Sequence, residues 1–185
     1  MTGLFGGAFD PPHKGHVALA EEALRHFELE RLLVLVVVRP GHKDVGTPVD
    51  GRLGLARAAF AGLPDTEILR EEHAYTVDAV RGGRFGDALF LIGADEFGDF
   101  LTWKEPQEVL EHVRLGVATR RGYGRERLEK VLAQLERRDR VEFFAIPEVP
   151  VSSSEIRARI AHGQSVEDAV PPTVARLISD LALYR

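Results

Sequence analysis

Between Arg31 and Val38 the chain runs Leu-Leu-Val-Leu-Val-Val-Val with no polar residue in between. A strand with one face in solvent alternates apolar and polar residues, so an unbroken β-branched run needs cover on both faces. The run is too short to cross a bilayer. It therefore reads as a central strand of a parallel sheet clad by helices on either side. The neighbouring pattern agrees, because further strands are expected at Leu4–Phe5, Glu67–Arg70, Ala88–Ile92, Leu115–Thr119 and Val141–Ile146. Helices are expected over His13–Phe27, Gly51–Ala61, Tyr75–Val80, Glu96–Leu101, Pro106–His112, Arg125–Leu135, Ser153–His162 and Val174–Leu183. Strand and helix alternate without a repeat, a low-complexity segment or a linker, which predicts one domain over residues 1–185. The fold class is α/β, a doubly wound, mostly parallel sheet of about five to six strands, with ligands at the carboxyl ends of strands where the sheet order reverses.

The first strand feeds Gly6-Gly7-Ala8-Phe9-Asp10-Pro11-Pro12-His13-Lys14-Gly15-His16. Gly6 and Gly7, lacking Cβ atoms, are expected to take unusual dihedrals and let an anion approach the backbone. Pro11 and Pro12 stop the extended chain, and the helix beginning near His13 offers free first-turn amides and a positive dipole end. His13 and His16, three apart, share one face of that end. Neither the Walker loop nor the dinucleotide fingerprint has this glycine spacing. A zinc pair would need further ligands that the stretch does not contain.

A second constellation is Val151-Ser152-Ser153-Ser154-Glu155-Ile156-Arg157. Ser152 followed three residues later by Glu155 reads as a capping box after Pro150. The amides of Ser153 and Ser154, the neighbouring hydroxyls and Arg157 one turn on also form a donor set suited to phosphate.

Composition excludes several classes of function. The 185 residues contain no Cys, so disulfide and thiolate chemistry are absent. The N-terminus lacks a basic segment followed by an apolar run, and no apolar stretch approaches the length of a membrane span, so export and membrane insertion are not expected and a cytoplasmic location is. A net charge of −5 argues against a general nucleic-acid binder, although a small anionic ligand needs only a local positive site.

The pattern Gly-Gly-x-Phe-Asp-Pro-x-His-x-Gly-His resembles the signature of the nucleotidyltransferase superfamily with the paired-histidine motif. Together with Val151–Arg157, which stands where a late Ile-Ser-Ser-Thr-x-Ile-Arg is usual, it makes the chain similar to the bacterial nicotinate-nucleotide adenylyltransferases. Pro40-Gly41-His42-Lys43, Tyr75-Thr76 with Asp78, Gly93-Ala94-Asp95 with Trp103, Arg120 ahead of Gly122-Tyr123, and the closing Leu183-Tyr184-Arg185 fit the same family. Ala8, in place of a hydroxyl residue, and the short loop after Val38 depart from it.

The resemblance implies transfer of AMP from ATP to nicotinate mononucleotide, giving deamido-NAD and pyrophosphate, with Mg²⁺ held mainly by ATP phosphates and water. His13, His16, Lys43 and Arg157 would carry catalysis. Gly6, Gly7, Ala8, Phe9, His16, Gly93, Asp95, Ser152, Ser153, Ser154 and Arg157 would surround ATP. Tyr75, Thr76, Asp95, Trp103 and Arg120 would meet the acceptor, with added charge from Lys104 and with donors from Thr76 and the short helix after Trp103. ATP and nicotinate mononucleotide are the expected partners, and a homo-oligomer is compatible with the sequence. The alternatives are adenylyl or cytidylyl transfer to another small phosphate ester, such as nicotinamide mononucleotide or phosphopantetheine, and a catalytically silent nucleotide sensor.

Overall fold

The computed structural model describes residues 1–41, 45–120 and 124–185, with Arg125 described by its backbone only. Six strands, β1 (Thr2–Gly7), β2 (Arg31–Val37), β3 (Thr66–Glu71), β4 (Leu89–Gly93), β5 (Arg114–Thr119) and β6 (Val141–Ala145), form one sheet in the order β3-β2-β1-β4-β5-β6. Every pairing is parallel. The helices between them are α1 (Lys14–His26), α2 (Val49–Phe60), α3 (Thr76–Val80), α4 (Ala94–Gly98), α5 (Pro106–His112), α6 (Arg125–Leu132), α7 (Ser153–Ala161) and α8 (Pro172–Asp180).

The run that predicted a doubly covered strand is β2. Leu32, Val34 and Val36 point into one apolar layer with α1, α2 and α8 residues such as Ala20, Leu55 and Val174. Leu33 and Leu35 point into the opposite layer with Val77, Phe97, Leu110 and Leu128. Because successive side chains of a strand face opposite ways, cover on both sides removes the polar alternation from the sequence. Several expected helices are shorter than predicted, two of them ending three residues early against their apolar spacing. The helix beginning at Arg125 ends at Leu132, and Leu135 is buried from the turns that follow it. The last helix starts earlier and ends at Asp180, with Pro172 in its first turn, where a missing N–H costs nothing.

The sheet order reverses between β1 and β4. β1 pairs with β2 along its whole length, from Thr2 to Gly7, but with β4 only at Gly3 and Leu4. Beyond that point the two central strands separate at their carboxyl ends, which opens a crevice. All six strands run the same way, so every segment that leaves a strand end lies on this edge of the sheet. That parallelism brings together motifs as far apart in sequence as Gly6–His16 and Ser152–Arg157.

Candidate active site

The crevice is a cleft of about 660 Å³, within the range of small-molecule sites. Its floor is the β1 turn. Gly6 and Gly7 do not have the unusual dihedrals expected of them, since both belong to extended β1 and neither has positive φ. They are glycines for a packing reason. A Cβ on Gly6 would lie 3.0 Å from the Phe90 ring, and one on Gly7 would lie 2.9 Å from the ring of Phe9. The left-handed residue is Phe9 itself, at φ 50°. Its ring is buried edge-on against Phe5, His16 and Phe60, which holds the turn in a conformation L residues rarely adopt. Phe9 therefore faces the cleft through its backbone, with its side chain in the core.

His13 is the N-cap of α1, and the cap is reciprocal. His13 Nδ1 accepts from the His16 amide at 3.4 Å, and His16 Nδ1 accepts from the His13 amide at 3.2 Å. The rings stack with centroids 3.7 Å apart. An Nδ1 that accepts a backbone N–H leaves the proton on Nε2, so each ring's opposite edge is a donor. Burial first, and the nearby Arg120 second, push the His13 imidazole down to about 4, so it is neutral at pH 7. Both imidazoles line the cleft beside the α1 N-terminus.

The opposite wall is the start of α7. Ser152 Oγ caps it by accepting from the Glu155 amide at 3.2 Å, which is the N-cap half of the expected capping box. Ser153 Oγ donates to the Pro11 carbonyl at 2.9 Å, and Arg157 Nη1 donates to the Asp10 carbonyl at 2.7 Å. Arg157 Nη2 also reaches Ser154 Oγ at 3.4 Å. These bonds fasten the two sequence motifs to each other, with two helix N-termini opening on one space.

Tyr75, Thr76, Gly93, Asp95, Trp103 and Arg120 complete the lining. Trp103 is held edge-on to Phe90 and tilted against Phe100. Lys104 does not line the cleft. Its Nζ lies 2.8 Å from Asp78 Oδ1 and over the Tyr75 ring, so its charge is committed to Asp78 and corrects the expectation that it adds charge to the site. The short helix after Trp103 is also less open to an anion than expected: it begins with Pro106, and Glu105 and Glu108 at its start pair with Arg81. Lys43, His42 and Arg121-Gly122-Tyr123 lie outside the described residues.

Sequence reasoning assigned no role to three residues that build this geometry. Asp10 is 2% exposed. Its Oδ2 accepts from the amides of Gly46 at 3.1 Å and Thr47 at 3.4 Å, and its Oδ1 accepts from the Tyr184 hydroxyl at 2.6 Å. Arg52, on α2 and 1% exposed, donates to the carbonyls of Thr47, Ala8, Val37 and Val38. Burial lowers its guanidinium from the ordinary range, and Asp10 and Tyr184 oppose that shift. Arg52 left one trace in the sequence, a charged residue beside Leu53, Leu55 and Ala56 on a face that must be buried. Asp10 and Tyr184 left none beyond their motifs.

A cytidylyltransferase-like family model matches residues 4–159. A Bordetella avium protein named "probable nicotinate-nucleotide adenylyltransferase" is 36% identical over 99% of this chain and 97% of its own length. A Thermus thermophilus protein of the same name is 36% identical over 99% of this chain and 98% of its own length. In fold, the chain is similar to the Plasmodium falciparum nicotinic acid mononucleotide adenylyltransferase complexed with NaAD, with a TM-score of 0.80 at 18% identity over 99% of this chain and 96% of that one. A strand order that reverses at β1, a paired-histidine cap at that reversal and relatives matched from end to end place this chain in the cytidylyltransferase-like family, among the nicotinate-nucleotide adenylyltransferases.

Proposed function

We propose that the cleft transfers AMP from ATP to nicotinate mononucleotide, forming deamido-NAD and pyrophosphate. The observation that carries this reading is the fastening of the α7 start to the β1 turn by Arg157 and Ser153, which faces two donor-rich helix ends across one cleft. The relatives' names and the NaAD complex of the structural neighbour support the choice of acceptor.

A mononucleotide phosphate is largely ionised at neutral pH and needs no base. Its oxygen attacks the α-phosphorus of ATP in line, the new P–O bond forms as the α–β bridging P–O bond breaks, and pyrophosphate carries away the electron pair. The protein's work is alignment and stabilisation of charge on the equatorial and leaving oxygens. Neutral His13 supplies an Nε2–H, a donor at the α1 end that does not have to titrate. His16 caps the same helix start and lines the cleft beside it. The α7 amides and the Arg157 fork receive the triphosphate. Trp103 and Thr76 form the acceptor end.

Among the described residues no group of three His, Cys, Asp or Glu side chains stands together as a metal cage. A Mg²⁺ carried on the triphosphate would be held by phosphate and water and would supply neutralisation of charge there. Among those residues no helix is long and apolar enough to cross a membrane, and a cytoplasmic enzyme fits this reading.

The test is pyrophosphate release and dinucleotide formation by the purified chain, with ATP, Mg²⁺ and a panel of acceptors comprising nicotinate mononucleotide, nicotinamide mononucleotide and phosphopantetheine. Deamido-NAD should form fastest. No turnover with any acceptor would reduce the protein to a nucleotide binder.

A further inference from the structure

The tail that follows α8 contains two left-handed residues, Ala182 at φ 49° and Tyr184 at φ 65°. L side chains adopt that conformation at a cost, which the surrounding packing must offset. Here the conformation accompanies the approach of the Tyr184 hydroxyl to Asp10. The ring packs beside the core layer that includes Phe9 and Phe60, and it does not line the cleft. Burial, then the hydrogen bond to Asp10, raise the phenol above its ordinary range, so it remains a proton donor.

Asp10 occupies the middle of a three-way connection. Its carbonyl takes Arg157 from the α7 side, its Oδ2 takes the Gly46 and Thr47 amides, and its Oδ1 takes Tyr184. Gly41 packs on the Tyr75 side of the cleft, since a Cβ there would lie 2.9 Å from the Tyr75 ring, and Pro40 and Val45 line the cleft. The bond from Arg157 goes to the backbone of Asp10, whereas the bonds to Gly46, Thr47 and Tyr184 go to its carboxylate. Without the Tyr184 bond the buried carboxylate is held only by the Gly46 and Thr47 amides at Oδ2, so its orientation and theirs are less constrained.

We infer that Tyr184 is a positioning residue for the acceptor side of the site: by holding Asp10 Oδ1 it sets the orientation in which Oδ2 anchors the backbone at Gly46 and Thr47. The inference rests on the adenylyl-transfer reading for its kinetic consequence and on geometry alone for its structural one. Tyr184→Phe removes the hydroxyl and keeps the ring in its apolar packing. It should raise KM for nicotinate mononucleotide about five- to tenfold while leaving KM for ATP within about twofold, because the Arg157 contact is to backbone.

The experiment compares the wild-type chain and Tyr184→Phe in two ways, by initial rates with each substrate varied and by amide hydrogen exchange. Faster exchange at Gly46 and Thr47, with core strands unchanged and the acceptor KM alone raised, is the expected result. Unchanged exchange at those two amides overturns the inference, whatever the activity. Equal rises in both KM values with a lowered melting temperature also overturn it, because they mark general loosening. A wild-type chain inactive with every acceptor defeats the adenylyl-transfer reading separately, and the exchange comparison still decides whether Tyr184 holds Gly46 and Thr47 in place.

Discussion

His13 and His16 cap each other: each Nδ1 accepts the other's backbone N–H, and the rings stack at 3.7 Å. The arrangement uses the acceptor edge of both rings for the helix start and places both rings in the cleft lining. Burial first, and the nearby Arg120 second, make protonation of His13 costly. The unfolded chain binds a proton at this residue below about pH 6.5, and the folded chain only near 4, so the unfolded state holds more protons between those values. Stability must then fall as pH drops from about 6.5 to about 4 and level off below, with up to about 3 kcal/mol at stake. His13→Asn keeps a capping oxygen without a titrating ring. Denaturant titrations from pH 7 to 4 should show a steeper loss for the wild type than for this variant, and parallel curves would refute the assignment.

Gly15 tests whether the imidazole's placement matters more than helix strength. Alanine in the first turn should stabilise α1 by up to about 1 kcal/mol. A Cβ there, however, would sit 3.1 Å from the His13 ring, which must shift by tenths of an ångström. We expect Gly15→Ala to melt at or above the wild-type temperature while kcat/KM falls about tenfold. A variant as active as the wild type would show that the site tolerates displacement of His13.

Arg52 has the opposite profile. It touches no part of the reaction, yet four carbonyls around the β1 and β2 ends depend on it. Arg52→Met fills similar space and leaves those acceptors buried without donors, costing about 3–5 kcal/mol. For a chain of this size the melting temperature should drop by about 10 °C. A drop of less than about 2 °C would mean that water replaces the guanidinium.

Arg157 joins the two motifs and also faces the triphosphate in the proposed reaction. Arg157→Lys retains the charge and one donor toward the Asp10 carbonyl, but it cannot present a planar fork to both the turn and a phosphate. Loss of one charge-assisted bond should lower kcat/KM for ATP about 10- to 100-fold with little change in acceptor KM. Unchanged ATP dependence in both Arg157→Lys and Arg157→Ala would reduce the late motif to a helix cap.

What the sequence made legible follows from the range of the interactions involved. β2 was readable because double burial acts on every residue of the strand. The α1 start was readable because prolines, cap and periodicity lie within a few residues of one another. β3 was fainter, since as an edge strand it buries only Glu71 fully. The dihedrals of Gly6 and Gly7 were not legible, because a missing Cβ signals either dihedral freedom or a close neighbour, and only the Phe90 and Phe9 rings decide which. Asp10 was hidden for a different reason. Its partners at Gly46, Arg157 and Tyr184 are 36, 147 and 174 residues away, and no local pattern records such contacts. Lys104 reads as a site charge until Asp78 is seen beside it.

Selection of nicotinate over nicotinamide mononucleotide is the most demanding expectation for this cleft. The two acceptors differ by a carboxylate against a neutral amide, so the pyridine end needs a flat support and donors without competing acceptors. Trp103 is such a support, since its contacts with Phe90 and Phe100 fix the plane of the ring where it lines the cleft. Thr76, at the first position of α3, provides a hydroxyl and a backbone amide on the same lining. With Lys104 paired to Asp78, Arg120 is a cation of the cleft lining that could meet the carboxylate, and the geometry of donors at Trp103 and Thr76 adds to the discrimination. A site of that kind rejects a ligand that turns an N–H₂ toward its donors, because buried donors are then left unpaired. Nicotinate mononucleotide should therefore be used at least about a hundredfold more efficiently than the nicotinamide form. Trp103→Ala should raise its KM about 10- to 100-fold and leave KM for ATP within about twofold. Equal kcat/KM for the two mononucleotides in a side-by-side assay would defeat the specificity argument. The transfer chemistry at the histidine pair would still stand.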